Sequence, residues 1–241
     1  MLLHAGIADR RMWHEHLEPF AAGGRRVVAV DLPGFGNSVL VPGVQAPWLD
    51  VLETMDALAI DRAALVGCSF GGAVALVTAI TAQERITALV LASAPAPDIM
   101  PSSRLKAAWD AEETALARDD VDGAVEAVLD AWLAPDAPAA LRQCVGAMQR
   151  RAFELQADPP TMSDAVDPLE QDPGLLQSLE IPALCLAGRD DMPDFVTSAQ
   201  RLAEALPRAR YQQIDDARHL IPLEAPAAFR AALLAFLATG A

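Results

Sequence analysis

Residues Gly67-Cys68-Ser69-Phe70-Gly71 form a G-x-S-x-G sequence between a short apolar run, 63–67 (AALVG), and an apolar helical period, 72–81. A serine hydroxyl is a weak nucleophile unless a sharp strand-to-helix turn presents it with room around it. Glycines two residues before and two after supply that room. Ser69 is therefore the candidate nucleophile, and the following helix begins with free N–H groups and a positive dipole end beside any negative charge that develops there. Cys68, inside the same turn, reads as a small packing residue.

A nucleophilic serine needs a base, and the base needs a group to orient it. The chain has four histidines. His219 follows YQQIDDAR and precedes the terminal helical period, so it is expected in a loop at the same sheet edge as Ser69. His14 and His16 stand among charged residues on an early helical period and read as solvated surface residues. His4 lies in Leu3-His4-Ala5-Gly6. The apolar run 183–187 (ALCLA) leads into Gly188-Arg189-Asp190-Asp191-Met192-Pro193-Asp194, and spacing alone leaves Asp190, Asp191 and Asp194 open as the carboxylate, with Asp216 a further choice. The chain order serine, acid, histidine suits acyl transfer from this kind of elbow.

Such residues need a scaffold that carries distant loops to one edge. Apolar runs suited to buried parallel strands occur at 26–32, 63–67, 86–92, 183–187 and 209–214. Helical periods at 12–20, 48–58, 72–81, 195–206 and 226–237 alternate with them. That order predicts a parallel sheet covered on both faces by helices and connected right-handedly. Residues 96–179 break the alternation. They are helical, acidic and punctuated by proline, with helices at 105–116, 121–133 and 139–156. Trp109, Trp132, Met148 and Phe153 either pack a small core of this segment's own or face the sheet. Trp109, Trp132 and Phe153 are the candidate substrate-binding residues, because segments beyond the carboxyl ends of parallel strands sit where ligands bind.

Composition limits the remaining classes. With 241 residues, 53% of them hydrophobic and 21% charged, the chain can bury a substantial core and is not disordered. Eighteen Lys plus Arg against thirty-three Asp plus Glu leave a net charge of −15, a field that repels nucleic-acid phosphates and anionic membranes. The uncharged stretch 63–82 is broken by Gly67, Ser69, Gly71 and Gly72, so it reads as strand, turn and helix instead of a membrane span. Cys68, Cys144 and Cys185 show neither a disulfide framework nor metal-ligand spacing. A reducing cytoplasm is the expected compartment, and no signal peptide is visible.

Taken in order, His4-Ala5-Gly6, DLPGFGNS at 31–38, Gly67–Gly71, the helical 96–179, Gly188–Asp191 and His219 resemble the α/β-hydrolase fold superfamily across essentially the whole chain. The resemblance implies an α/β fold with a mostly parallel, doubly wound sheet. Its core would be 1–95 and 180–241, with a helical cap, 96–179, inserted between strands. Ser69 would be the nucleophile, His219 the base, and Asp191, fourth in G-x-x-D, the acid. The backbone N–H groups of Phe70 and Gly6 would form the oxyanion hole. Ala5 replaces the family's usual glycine, which leaves Ile7 as a rival to Gly6. Asp31 would belong to a structural turn and His4 would prop its loop.

The family's N-terminal hairpin is missing ahead of His4, so the sheet is expected to lack one edge, and an exposed edge favours pairing with a second copy, a homodimer. The implied activity is a serine hydrolase cleaving an ester or lactone of a small to medium, largely apolar acid through an acyl-enzyme. The expected partner is a small-molecule substrate, with no metal or organic cofactor. Cofactor-free haloperoxidases and carbon–carbon bond hydrolases look equally similar, while a lyase using Ser69 and His219 for proton transfer and a non-catalytic ligand receptor are the rivals from other classes. A serine at the elbow argues against the aspartate-based haloalkane dehalogenases and epoxide hydrolases.

Overall fold

The computed structural model describes residues 1–238. In chain order the elements are β1 (Leu2–Leu3), α1 (His14–Ala21), β2 (Ala29–Val30), β3 (Gly43–Gln45), α2 (Pro47–Ala57), β4 (Ala63–Cys68), α3 (Phe70–Thr81) and β5 (Ile86–Ala92). Then come α4 (Ser103–Leu116), α5 (Val121–Trp132), α6 (Ala139–Gln156), β6 (Met162–Asp164) and α7 (Pro168–Gln171). The chain continues through β7 (Ala183–Gly188), α8 (Pro193–Ala205), β8 (Ala209–Ile214), α9 (Ile221–Glu224) and α10 (Pro226–Ala238).

Six strands form one sheet in the order β2-β1-β4-β5-β7-β8, every neighbouring pair parallel. Side chains alternate across a strand, so a strand covered on both faces must be apolar throughout. In β5, Ala88, Val90 and Ala92 join one hydrophobic cluster while Leu89 and Leu91 join the other on the opposite face. The first cluster also takes in Trp13 and Phe229 and, from the helices between β5 and β7, Val128, Trp132 and Met148. The second holds Val51 and Met55 of α2 and Val74 and Leu76 of α3. Because all six strands run the same way, the segments after β1, β4, β7 and β8 emerge at one edge, which gathers His4, Ser69, Asp191 and His219.

Three expectations need correction. The strand expected over 26–32 is only Ala29–Val30, since β2 ends the sheet and pairs on one side with the two residues of β1. A second, two-stranded parallel sheet joins β3 to β6, with Gly43 opposite Met162 and Gln45 opposite Asp164. These three-residue, largely exposed strands carry no hydrophobic alternation, so nothing in the sequence marks them. Third, His16 is not a solvated residue. It is fully buried, its Nε2 is 2.9 Å from the carbonyl of Pro222, and its ring packs against Trp13, Phe20 and Phe229. His14 is exposed as expected.

His4 is buried as well; its Nδ1–H donates to the Ala5 carbonyl at 2.8 Å and its Nε2 accepts from the Leu32 amide at 2.9 Å. Burial pushes the pKa of both His4 and His16 below the ordinary 6.5, against raising contributions from their carbonyl contacts. Below pH 6.5 the unfolded chain therefore binds protons that the folded chain refuses, and stability falls as pH drops. The limiting slope is about 1.4 kcal/mol per pH unit for each histidine. Glu112 and Glu224, raised above the usual 4.5 by burial, act with the opposite sign. The expected result is a urea midpoint lower at about pH 5.5 than at about pH 7.5, with a smaller decrease in His16→Phe; an equal decrease in the variant would overturn the role given to His16.

Candidate active site

Ser69 stands between β4 and α3 with φ 51° and ψ −117°, a left-handed backbone that a non-glycine residue adopts at a cost of about 1–3 kcal/mol. Close packing enforces it. A methyl on Gly67 would lie 2.2 Å from the Gly71 carbonyl oxygen, and one on Gly71 would lie 2.3 Å from that of Leu3. The turn is held by Ser69 N–H donating to Ala92 O at 2.8 Å and Gly72 N–H donating to Ser69 O at 2.8 Å.

The Ser69 hydroxyl donates to His219 Nε2 at 2.8 Å, and His219 Nδ1 lies 3.1 and 3.2 Å from the two Asp191 carboxylate oxygens. An ionised carboxylate only accepts, so the Nδ1 side carries the proton and Nε2 keeps the lone pair that faces the serine. Asp191 Oδ1 also accepts from the Met192 amide at 2.7 Å. His219 and Asp191 are 2% and 7% exposed. Trp132 and Phe195 flank the imidazole with ring centres 4.4 and 4.3 Å away, keeping water off its faces. The carboxylates that spacing left open lie elsewhere: Asp190 and Asp216 are exposed, and both Asp194 oxygens bind Ser102.

Gly188 explains how the acid and histidine loops meet. A methyl there would fall 2.2 Å from the Arg218 carbonyl oxygen and 2.4 Å from that of Ala217, so only a glycine lets the loop carrying His219 lie against the end of β7. Arg218 then ties that loop to α5. Its guanidinium donates to the carbonyls of Ala131 at 3.1 Å, Asp190 at 3.3 Å and Leu133. Glu224 accepts from the amides of Ala134, Arg218 and Leu220 at 3.0, 3.0 and 3.1 Å. Sequence reasoning missed both residues. A lone acid within the apolar LIPLEAPAA was the available signal for Glu224; Arg218 had none.

The amides of Gly6, Ile7 and Phe70 donate to no protein acceptor among the described residues, and all three residues line a cavity of about 420 Å³ that reaches Ser69 and His219. A methyl on Gly6 would stand 3.4 Å from Phe70 Cβ, so Gly6 and Phe70 face each other at its floor. Trp109 and Trp132 line the walls with Leu105, Glu112, Gln149 and Phe195. Phe153 is not among the lining residues. It lies one turn beyond Gln149 on α6 and is buried in the hydrophobic cluster, so Gln149 presents the lining side chain of that helix instead. A larger cleft of about 790 Å³, between residues 9–14 and the other side of α6, touches none of Ser69, Asp191 and His219.

Cys68 is fully buried, and burial first, then Asp191 and Glu224, push its thiol pKa upward, which removes it as a competing nucleophile. Among the described residues no group of three His, Cys, Asp or Glu side chains is gathered as metal ligands would be. No helix among them is long and apolar enough to cross a membrane.

Comparison with known proteins places this geometry in context. The model of the Alpha/beta hydrolase family matches residues 1–232. A 2-hydroxymuconate semialdehyde hydrolase of Pseudomonas putida is 30% identical over 222 residues, covering 89% of this chain and 77% of that protein. The protein of the same description from Pseudomonas sp. strain CF600 is 36% identical over 116 residues, a match spanning 45% of this chain and only 41% of that one. Among solved structures, the enol-lactonase from Burkholderia xenovorans LB400 superposes with a TM-score of 0.81 at 23% identity, covering 98% of this chain and 90% of that chain, a likeness of fold.

Proposed function

Because this chain belongs to the Alpha/beta hydrolase family, we propose that it is a serine hydrolase that cleaves an ester or lactone of a small to medium, largely apolar acid through an acyl-enzyme. The observation that carries this proposal is the 2.8 Å hydrogen bond from the Ser69 hydroxyl to His219 Nε2 at the floor of an apolar-walled cavity. His219 takes the serine proton as Oγ bonds to the carbonyl carbon, and Asp191 stabilises the imidazolium that forms. The carbonyl oxygen becomes an oxyanion facing the amides of Phe70 and Gly6, each such donor worth about 3–4 kcal/mol of barrier. His219 then gives its proton to the departing alkoxide, the carbon–oxygen bond breaks, and the acyl group stays on Ser69. Water, deprotonated by the same imidazole, attacks the acyl-enzyme and releases the acid.

The cavity wall favours a neutral ester or lactone over the substrate in the relatives' names. A muconate semialdehyde is a carboxylate, and a desolvated carboxylate calls for a cationic partner. Among the described residues lining the cavity there is no Arg or Lys; the acids present are Glu112 and Asp194. The deciding experiment compares turnover of p-nitrophenyl butyrate and a neutral enol-lactone with that of a 2-hydroxy-6-oxo-dienoate. Ester or lactone kcat/KM is expected to exceed that on the dienoate by about tenfold or more. The opposite order would replace ester hydrolysis by carbon–carbon bond cleavage.

A further inference from the structure

The proposed reaction needs the imidazole of His219 held in one orientation, with Nε2 2.8 Å from Ser69 Oγ and Nδ1 3.1 and 3.2 Å from the Asp191 oxygens. A turn of the ring breaks both contacts at once. Two aromatic side chains resist that turn from its faces: Phe195 of α8 and Trp132, the last residue of α5. Phe195 lies four residues beyond Asp191 in the chain, whereas Trp132 belongs to the helices between β5 and β7. Its place against the ring therefore depends on a tie across the chain.

Arg218, the residue before His219, makes that tie. It is 8% exposed, and its guanidinium donates to the carbonyls of Ala131 at 3.1 Å and Leu133, which stand on either side of Trp132. The same guanidinium donates to the carbonyl of Asp190, the residue before Asp191, at 3.3 Å. Because α5 ends at Trp132, the cation sits at the negative end of the helix dipole, beside carbonyls that lack intrahelical donors. One rigid fork of donors thus joins the segments that carry Trp132, Asp191 and His219. Glu224 joins only two of them, through the amides of Ala134, Arg218 and Leu220.

We propose that Arg218 is a positioning residue for the reaction. By bonding the end of α5 and the Asp190 carbonyl to its own position in the chain, it keeps Trp132 against the imidazole and His219 aligned between Ser69 and Asp191. Arg218 is not among the residues lining the cavity, so it acts through these neighbours and not on the substrate. This rests on the hydrolase reading above and adds what sets the alignment of its base.

The test compares wild type with Arg218→Met, which keeps an unbranched stem and deletes the three donors. On p-nitrophenyl butyrate kcat is expected to fall by about 10- to 100-fold, the scale of loss from a misplacement of about 1 Å, with a smaller change in KM. A spectroscopic signature separates alignment from mere stability. Wild type should show a far-downfield proton resonance from the Nδ1–H shared with Asp191. In Arg218→Met it should be lost to exchange with water at temperatures where circular dichroism reports an intact fold. Arg218→Lys keeps the charge without the fork and should fall between the two. Arg142→Met serves as the control, because Arg142 pairs with Glu126 and Asp130 on α5 without touching the histidine loop. It should leave both kcat and the resonance unchanged.

An Arg218→Met variant that keeps kcat within about twofold, or that loses rate with the resonance intact, overturns the proposal. So does a full wild-type rate in Arg218→Lys, or an equal loss in Arg142→Met. If Arg218→Met fails to fold, Arg218→Lys carries the comparison. Loss of the resonance in Arg218→Met, in a protein whose wild type hydrolyses no ester, would defeat the hydrolase reading and leave the positioning role standing. Ester hydrolysis unchanged in the variant would do the reverse.

Discussion

Ser69→Ala is expected to lower kcat on p-nitrophenyl butyrate by about 10⁴- to 10⁶-fold, and to abolish labelling by a fluorophosphonate that wild type takes up. The variant deletes the hydroxyl proposed to form the acyl-enzyme, while His219, Asp191 and the three free amides stay in place. Residual rate over water would come from those amides and from binding. The fold should survive, because alanine keeps the Cβ and the glycines at 67 and 71 still accommodate the turn. Equal thermal midpoints for variant and wild type, alongside the lost activity, would separate chemistry from folding. A variant that retains a tenth or more of the wild-type rate would remove Ser69 as nucleophile.

Asp191→Asn is expected to cost about 10⁴-fold in kcat with a nearly unchanged KM. The reason is the direction of the hydrogen bonds. Asp191 accepts at both oxygens, from His219 Nδ1 at 3.1 and 3.2 Å and from the Met192 amide at 2.7 Å. In asparagine the oxygen would keep the Met192 amide, and the NH₂ would then point at Nδ1 as a donor. The imidazole would carry its proton on Nε2, the nitrogen proposed to receive the serine proton, and the positive charge formed in the proposed attack would lose its counter-ion. The steady-state pH profile on p-nitrophenyl butyrate checks this: raising the pH should recover only a small part of the rate. A loss below about tenfold would show that Asp191 does not orient the base.

Much of this arrangement is readable before folding because it depends on local chemistry. The serine turn announces itself through glycines that no other residue can replace, and β4, β5 and β7 through unbroken apolar runs that only a sheet buried on both faces requires. Asp191 needed the family resemblance, since Asp190 beside it differs only in the direction its side chain takes. The unread parts are those in which long-range packing overrides local composition. His16 lies among charged neighbours in sequence, yet it is buried by Phe229 and Pro222, more than two hundred residues away. Gln149 and Phe153 occupy similar positions on one helix, and tertiary placement decides which lines the cavity. β3 and β6 are too short to leave a periodic trace.

The bonds from Arg218 and Glu224 that join the histidine loop to the end of α5 bear on how a substrate enters. If α5 lifted as a hinged flap, the carbonyls of Ala131 and Leu133 would leave the guanidinium and the imidazole would lose its seat. Passage past the half-exposed indole of Trp109, which lines the same cavity, would disturb none of these bonds. Rotamer changes of exposed side chains take picoseconds to nanoseconds, so access controlled by Trp109 would leave the relay beneath it assembled between visits.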